Sequence, residues 1–258
     1  MARYNIGRLF FGEYYKGIDF SPIVDGKDPL IQGKDIKDIN NKIKGVELIE
    51  IDKPISSPQT FEAKILYPGL ITGTGLVHNS KGITGGYNLG MHFDFTTGMP
   101  VVYGSSVKGV LRQYFVDFCK DKELNGHKVS KDEAEKLKNA IFDGKVPEKN
   151  RPMYERDVFF DAVITKSYKD GKGKTYFLTD DSITPHKEGP LKNPKPITML
   201  KIAAGCTLEF RFRLHKVEIE GRPYDENFKL EVFKEILGTV GIGAKTNVGY
   251  GQIEIIKQ

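Results

Sequence analysis

The chain has 258 residues and a net charge of +5, with 39% hydrophobic, 11% aromatic and 28% charged side chains. That length and apolar content supply a core for one large domain or two small ones and argue against intrinsic disorder. No apolar run nears the roughly 20 residues of a membrane span, and two cysteines, Cys119 and Cys206, exclude a disulfide framework or a paired-cysteine zinc motif.

The opening MARYNIGRLFFGEYY lacks the apolar core and small-residue cleavage site of a signal peptide, so a cytoplasmic location is expected. Residues 1–59 read as an N-terminal extension, with Pro22, Pro29, Pro54 and Pro58 and one short helix near 34–43. Residues 60–67 then alternate, apolar at Phe61, Ala63, Ile65 and Tyr67, which predicts a strand with one buried face. Seven glycines from Gly69 to Gly90 predict irregular backbone after it. His78 lies in this passage, where a general acid or base could sit, but no partnered carboxylate or nucleophile accompanies it. His92-Phe93-Asp94 puts two metal-ligand types on one strand face, yet no further spacing completes a site.

The spacing predicts a helix over 106–119. Val107, Val110, Leu111, Tyr114, Phe115 and Phe118 form one apolar stripe, with Ser105 or Ser106 as the N-cap. An amino end with two hydroxyls is a general anion-binding arrangement. Lys108 and Arg112, four residues apart, share a face away from the stripe. An ordinary capped helix with solvated charges is the other reading. A second helix begins at a Ser130–Glu133 capping-box pair and runs to Phe142. Strands are expected at 157–165, 174–178, 198–203 and 207–216. A helix at 226–237, a glycine-rich loop and a strand at 252–257 close the chain. This order predicts an α+β fold with helices on one face of a sheet, compatible with a ferredoxin-like core.

The charge surplus is local. Residues 166–216 hold 11 basic and 5 acidic side chains, interleaved with Tyr168, Tyr176 and Phe177. Such a stretch is either a solvated face or a polyanion contact. His186 and Lys187 lie within it, where contact with RNA or a partner is expected ahead of catalysis. Asp180-Asp181 reads as a turn or as a divalent-ion site. The run GIGAKTNVGYG at 241–251 fails as a nucleotide P-loop, because Ala244 stands where the lysine should follow the glycine and a helix precedes it. Two readings remain for it. Gly241, Gly243, Gly249 and Gly251 let the main chain approach a phosphate, with Lys245 and Asn247 contacting phosphate and sugar oxygens; or the run is a tight glycine turn before a buried strand.

Pro100-Val-Val-Tyr-Gly104-Ser105-Ser106-Val-Lys108-Gly109-Val-Leu-Arg112 is similar to the "PyIPGSSlKGalR" signature of RAMP proteins, RNA-binding subunits of CRISPR effector complexes. GIGAKTNVGYG resembles the C-terminal glycine-rich loop of that superfamily. Asp181-Ser-Ile-Thr184-Pro185-His186, with Pro190, Pro194, Pro196 and Ile197, resembles a segment of its sixth type III-B (Cmr) subunit, as does the opening Asn5-Ile-Gly7-Arg-Leu-Phe. One departure is Val101-Val102-Tyr103 where the family has Tyr-Ile-Pro; apolar bulk is kept and a proline lost.

The resemblance implies a single RAMP domain over 1–258, with a modified ferredoxin-like (RRM-like) core from 60 and a basic insertion or thumb about 166–195. It implies assembly with crRNA, target RNA and neighbouring RAMP subunits, at the end of the complex near the 3′ portion of the guide, without membrane, metal or cofactor. Ser105, Ser106, Lys108 and Arg112 are then one RNA surface, and Gly241, Gly243, Lys245 and Asn247 a second. His78, Asn79 and Lys81 form a flexible third, and His186 and Lys187 belong to the thumb. Related backbone subunits cleave target RNA with an aspartate after the first strand. Residues 75–86 here contain no Asp or Glu, which implies a non-catalytic member. The rival reading is a metal-independent endoribonuclease that processes CRISPR precursor RNA through His78, and a stand-alone RNA-binding module is a third.

Overall fold

In the computed structural model, residues 5–31, 35–53, 59–76, 78, 83–146, 149–184 and 196–256 are described. Six elements carry the core in chain order: β1 (Gln59–Ile65), α1 (Gly104–Cys119), β2 (Ala162–Lys166), β3 (Thr207–Arg213), α2 (Glu226–Val240) and β4 (Ile253–Ile255). The sheet order is β4-β1-β3-β2, antiparallel at every pairing. This is the split βαβ arrangement of a ferredoxin-like fold. Val101–Val102 adds a short strand on the β2 edge, and Val158–Phe159 pairs with the end of β3.

Apolar alternation directs β1: Phe61, Ala63 and Ile65 are buried, and Phe61 stacks on Phe210 and Phe212 of β3. On α1 the residues fully inside are Val107, Leu111, Phe115 and Cys119, one position per turn. Val110, Tyr114 and Phe118 are half-buried, flanking the stripe. Phe233 of α2 meets Phe115, Phe142, Phe159 and Phe212. The helix Lys131–Phe142 starts with the capping box expected from Ser130 and Glu133.

The expected strand 174–178 is split into Thr175–Tyr176 and Leu178–Ile183, which pair with different strands. The strand expected over 157–165 is broken at Phe160-Asp161, because Asp161 turns out to cap α1. Tyr67 continues the apolar alternation of β1 in sequence, yet it is 87% exposed. The strand ends at Ile65, Leu66 donates its amide to Gln252, and Pro68 turns the chain away. The described residues of the N-terminal extension pack onto the core. A helix Ile6–Phe11, capped by Asn5, buries Ile6, Leu9 and Phe10, and Phe10 and Tyr14 pack with His78 and Tyr87.

The N-terminal segment also covers part of the sheet face opposite the helices. Arg211 and Glu209 lie there, both buried, joined at 2.6 Å. The Arg211 guanidinium donates to the carbonyls of Ile51 and Asp52, and Lys53 pairs with Glu209 at 2.7 Å. A bare sheet face is the stacking surface of RRM modules; here residues 51–53 cover its Glu209–Arg211 part, and Lys64 and Glu254 remain exposed towards the rim where β1 ends.

Candidate nucleic-acid interface

The rim where β1 and β2 end is built by three segments. The first is the glycine-rich loop. The amides of Gly241, Ile242, Ala244 and Gly251 donate to the carbonyls of Leu237, Gly251, Ile71 and Gly69. Gly251 has φ of 70°, and a Cβ on it would come 1.8 Å from the Ile242 carbonyl oxygen; one on Gly243 (φ 97°) would meet the Ile71 carbonyl oxygen at 2.4 Å. These glycines let the loop lie against the chain's own backbone. The expected phosphate cradle is corrected accordingly for Gly241, whose amide is committed inside the fold. What faces outward is the crest: Lys245, Asn247 and Val248 are exposed, on the helical turn Thr246–Val248.

The second segment is Leu66-Tyr67, held beside the loop by the Gly251–Gly69 hydrogen bond. Sequence reasoning missed Tyr67 as a surface residue; the signal was Pro68-Gly69 immediately after it.

The third is a basic hairpin in which Tyr168–Lys169 pairs with Thr175–Tyr176. The Asp170 carboxylate accepts from the amides of Lys172 and Lys174 and fixes the turn. Lys169, Lys172 and Lys174 are exposed and make no ion pair among the described residues, and Lys174 lies 4.9 Å from the centre of the Tyr176 ring. Elsewhere in 166–216, Lys166 pairs with Glu62, Lys201 with Asp181 and Arg211 with Glu209, whereas Arg213 and Lys216 make no ion pair among the described residues, so three of the five described cations without an ion pair lie in the hairpin.

Ser105, Ser106, Lys108 and Arg112 lie elsewhere. The amino end of α1 sits beside Asp161, at the start of β2, whereas the hairpin follows the end of β2. Five residues of strand, about 17 Å, separate them. The α1 amino end is also occupied. Gly104 donates its amide to Asp161 at 2.7 Å, so the carboxylate fills the position expected for a phosphate. The N-cap residue is Tyr103, with no side-chain cap, which corrects the assignment to Ser105 or Ser106. Lys108 lies 5.9 Å from the Phe159 ring centre, and Arg112 forms a 2.8 Å ion pair with Asp143. Ser105 remains exposed and Ser106 half-exposed.

His78 is not a surface residue. It is 2% exposed, with Nδ1 2.7 Å from the Tyr87 carbonyl and Nε2 2.8 Å from the Phe10 carbonyl. Burial pushes its pKa below the ordinary histidine value, against the two carbonyl contacts. Neither a flexible RNA contact nor an acid–base role is open to it. His92 bonds Thr72 and stacks on Tyr103, and Asp94 caps a turn through Thr97, so the two do not converge as metal ligands. Asp180 and Asp181 sit in a strand, not a turn. Asp180 meets Lys44 and the Tyr87 hydroxyl, and Asp181 meets Lys201 and the Tyr250 hydroxyl. Asn79, Lys81, His186 and Lys187 lie outside the described residues. No described helix is long and apolar enough to cross a membrane.

The family model of the RAMP superfamily matches residues 62–254. The chain is 28% identical over 176 residues to the CRISPR system CMR subunit Cmr6 of Saccharolobus solfataricus, covering 66% of this chain and 50% of that protein, so it spans about half the length of this curated relative. Among solved structures, it is similar to a cryo-EM structure of the Type III-B Cmr-beta bound to cognate target RNA, with TM-score 0.49 and 24% identity over 77% of this chain and 58% of that one. It is similar also to a crystal structure of Cmr6 from Pyrococcus furiosus, with TM-score 0.38 and 18% identity over 77% and 97% of the two chains.

Proposed function

The chain belongs to the RAMP superfamily, and from that premise we propose that it is a non-catalytic, RNA-binding subunit of a type III-B CRISPR ribonucleoprotein. In this reading it is the sixth RAMP subunit, caps the complex near the 3′ end of the guide and contacts guide and target RNA through their backbone. Its partners are crRNA, target RNA and the neighbouring RAMP subunits, in the cytoplasm. The likeness to Cmr6 of Saccharolobus solfataricus supports the module.

The observation that carries the binding role is the rim, where Lys245 and Asn247 crest a loop whose Gly241, Ile242, Ala244 and Gly251 amides are committed internally, beside a hairpin presenting Lys169, Lys172 and Lys174. Such side chains position a phosphate backbone without reading sequence. The non-catalytic part draws on His78, the sequence's one acid–base candidate, being sealed in the core.

The test has two arms. Purification of the tagged chain from its host recovers a guide RNA and other RAMP proteins in one particle; a chain recovered alone overturns the subunit reading. In binding assays on the full chain, Lys245→Ala weakens association similarly for unrelated RNA sequences and lowers the salt dependence by about one ion. Metal-independent cleavage of repeat RNA that His78→Ala abolishes would overturn the non-catalytic assignment.

A further inference from the structure

An open groove of about 740 Å³ runs along this rim, lined among others by Lys64, Tyr67, Tyr168, Lys169 and Gly205. No described lining residue carries a carboxylate. Tyr67 is 87% exposed and Tyr168 is 43% exposed. Tyr168 packs on Gly205, where a Cβ would fall 2.6 Å from the ring; Gly205 has φ of 86° and leaves the ring its seat. Two tyrosine rings with solvent-facing surface therefore share one groove with two lysines. Of the nearby acids, Asp170 holds the hairpin turn and Glu62 pairs with Lys166, while Glu254 occupies the register position opposite Lys64 across the β1–β4 pairing.

An exposed aromatic pair is poorly hydrated surface that a folded chain ordinarily covers. The groove's lysines and the unpaired lysines of the hairpin favour a polyanion as the cover, and every nucleobase offers a flat face to an aromatic ring. We propose that the groove is a sequence-tolerant stacking site for unpaired RNA bases, with Tyr67 and Tyr168 as the platforms and Lys64 and Lys169 on the flanking phosphates. This rests on the RNA-binding reading above and adds to it where bases, as distinct from backbone, are held.

The chain contains no tryptophan, so Tyr67→Trp and Tyr168→Trp each install a single fluorescent reporter at the surface. The probes are a short labelled oligouridylate and an abasic oligomer of equal charge, titrated into the full-length chain at low salt. The expected result is quenching of both reporters by the oligouridylate and not by the abasic strand. Tyr67→Ala and Tyr168→Ala each weaken oligouridylate binding by roughly 5- to 150-fold, the range for loss of one stacked base, and leave abasic binding unchanged, while the Phe variants retain it. Oligouridylate that binds by anisotropy without quenching, with neutral Ala variants, overturns the stacking site alone and assigns the groove to a protein neighbour. An oligouridylate that does not bind at all removes the RNA-binding reading and the stacking site with it.

Discussion

Gly104 and Asp161 are 57 residues apart in sequence, and the amide of the first donates to the carboxylate of the second at 2.7 Å. A negative charge at the amino end of a 16-residue helix satisfies an orphan amide and complements the macrodipole. It also fixes α1 against the start of β2. Gly104 permits this contact, because a Cβ there would stand 2.1 Å from the Phe159 carbonyl oxygen.

Asp161→Ala is therefore expected to destabilise the chain by about 0.5–2 kcal/mol, as loss of a helix cap does. Ser105→Ala and Ser106→Ala, which remove hydroxyls that cap nothing, are expected to fall within about 0.5 kcal/mol of the parent. Thermal or urea melts of the three variants check this. Equal losses for the serine variants would restore them as caps.

The glycine-rich loop makes a sharper contrast. Gly251→Ala combines positive φ with a Cβ 1.8 Å from the carbonyl oxygen of Ile242, whose amide donates to the Gly251 carbonyl and holds the two segments together. Left-handed backbone alone costs a non-glycine residue about 1–2 kcal/mol, and the backbone clash adds to it, so a loss above roughly 2 kcal/mol is expected. Gly221→Ala has nearly the same φ, 74°, in open space, and isolates the conformational part. Denaturation midpoints that match for the two variants would show that the loop does not pack as described.

These residues mark how far the sequence could be read. The capping box at Ser130 was legible because its two partners lie three residues apart, and β1 was legible up to Ile65 by its alternation. The Asp161 cap was not, since nothing local in a chain separates a solvated aspartate from one that meets a helix 57 positions earlier. Tyr67 was misplaced because apolar alternation cannot reveal where a strand stops pairing. For the interface, the basic stretch was legible as a count of charges. Which cations remain unpaired was set by tertiary partners, Glu62, Asp181 and Glu209, that the count ignores. His78 sat in a glycine-rich passage that reads as flexible, and the residues enclosing it come from the helix Ile6–Phe11 and from Tyr14, Tyr15 and Tyr87.

His78 gives a pH-dependent prediction. Its folded pKa lies below the unfolded value, with burial as the main cause. A depressed histidine pKa means that the unfolded chain binds the proton more readily. The stability it contributes is complete above the unfolded value of about 6.5 and is lost as pH falls through the lower folded value. His78→Asn is expected to lower stability at pH 8 and to flatten the decline below pH 6.5, read as urea midpoints across that range. An unchanged pH profile would place the decline on other groups.

Glu133 titrates in a lower window. Its side chain is 3% exposed and accepts from the Ser130 amide, His127, the Arg222 guanidinium at 2.6 Å and the Tyr224 hydroxyl. Burial opposes its charge, but the bonds from Ser130, His127 and Arg222 outweigh that and bring its pKa down to about 2. A carboxylate with a depressed folded pKa stabilises the fold above its unfolded value, about 4.3, and that contribution disappears as pH falls through the folded value. Glu133→Gln keeps shape and removes the charge, leaving Arg222 without its anion. The expected outcome is a loss of about 1–3 kcal/mol at pH 7, with a gap between variant and parent that narrows steadily from pH 4.5 towards pH 2. A gap that stays constant over that range would mean that Glu133 acts through packing and not through its charge.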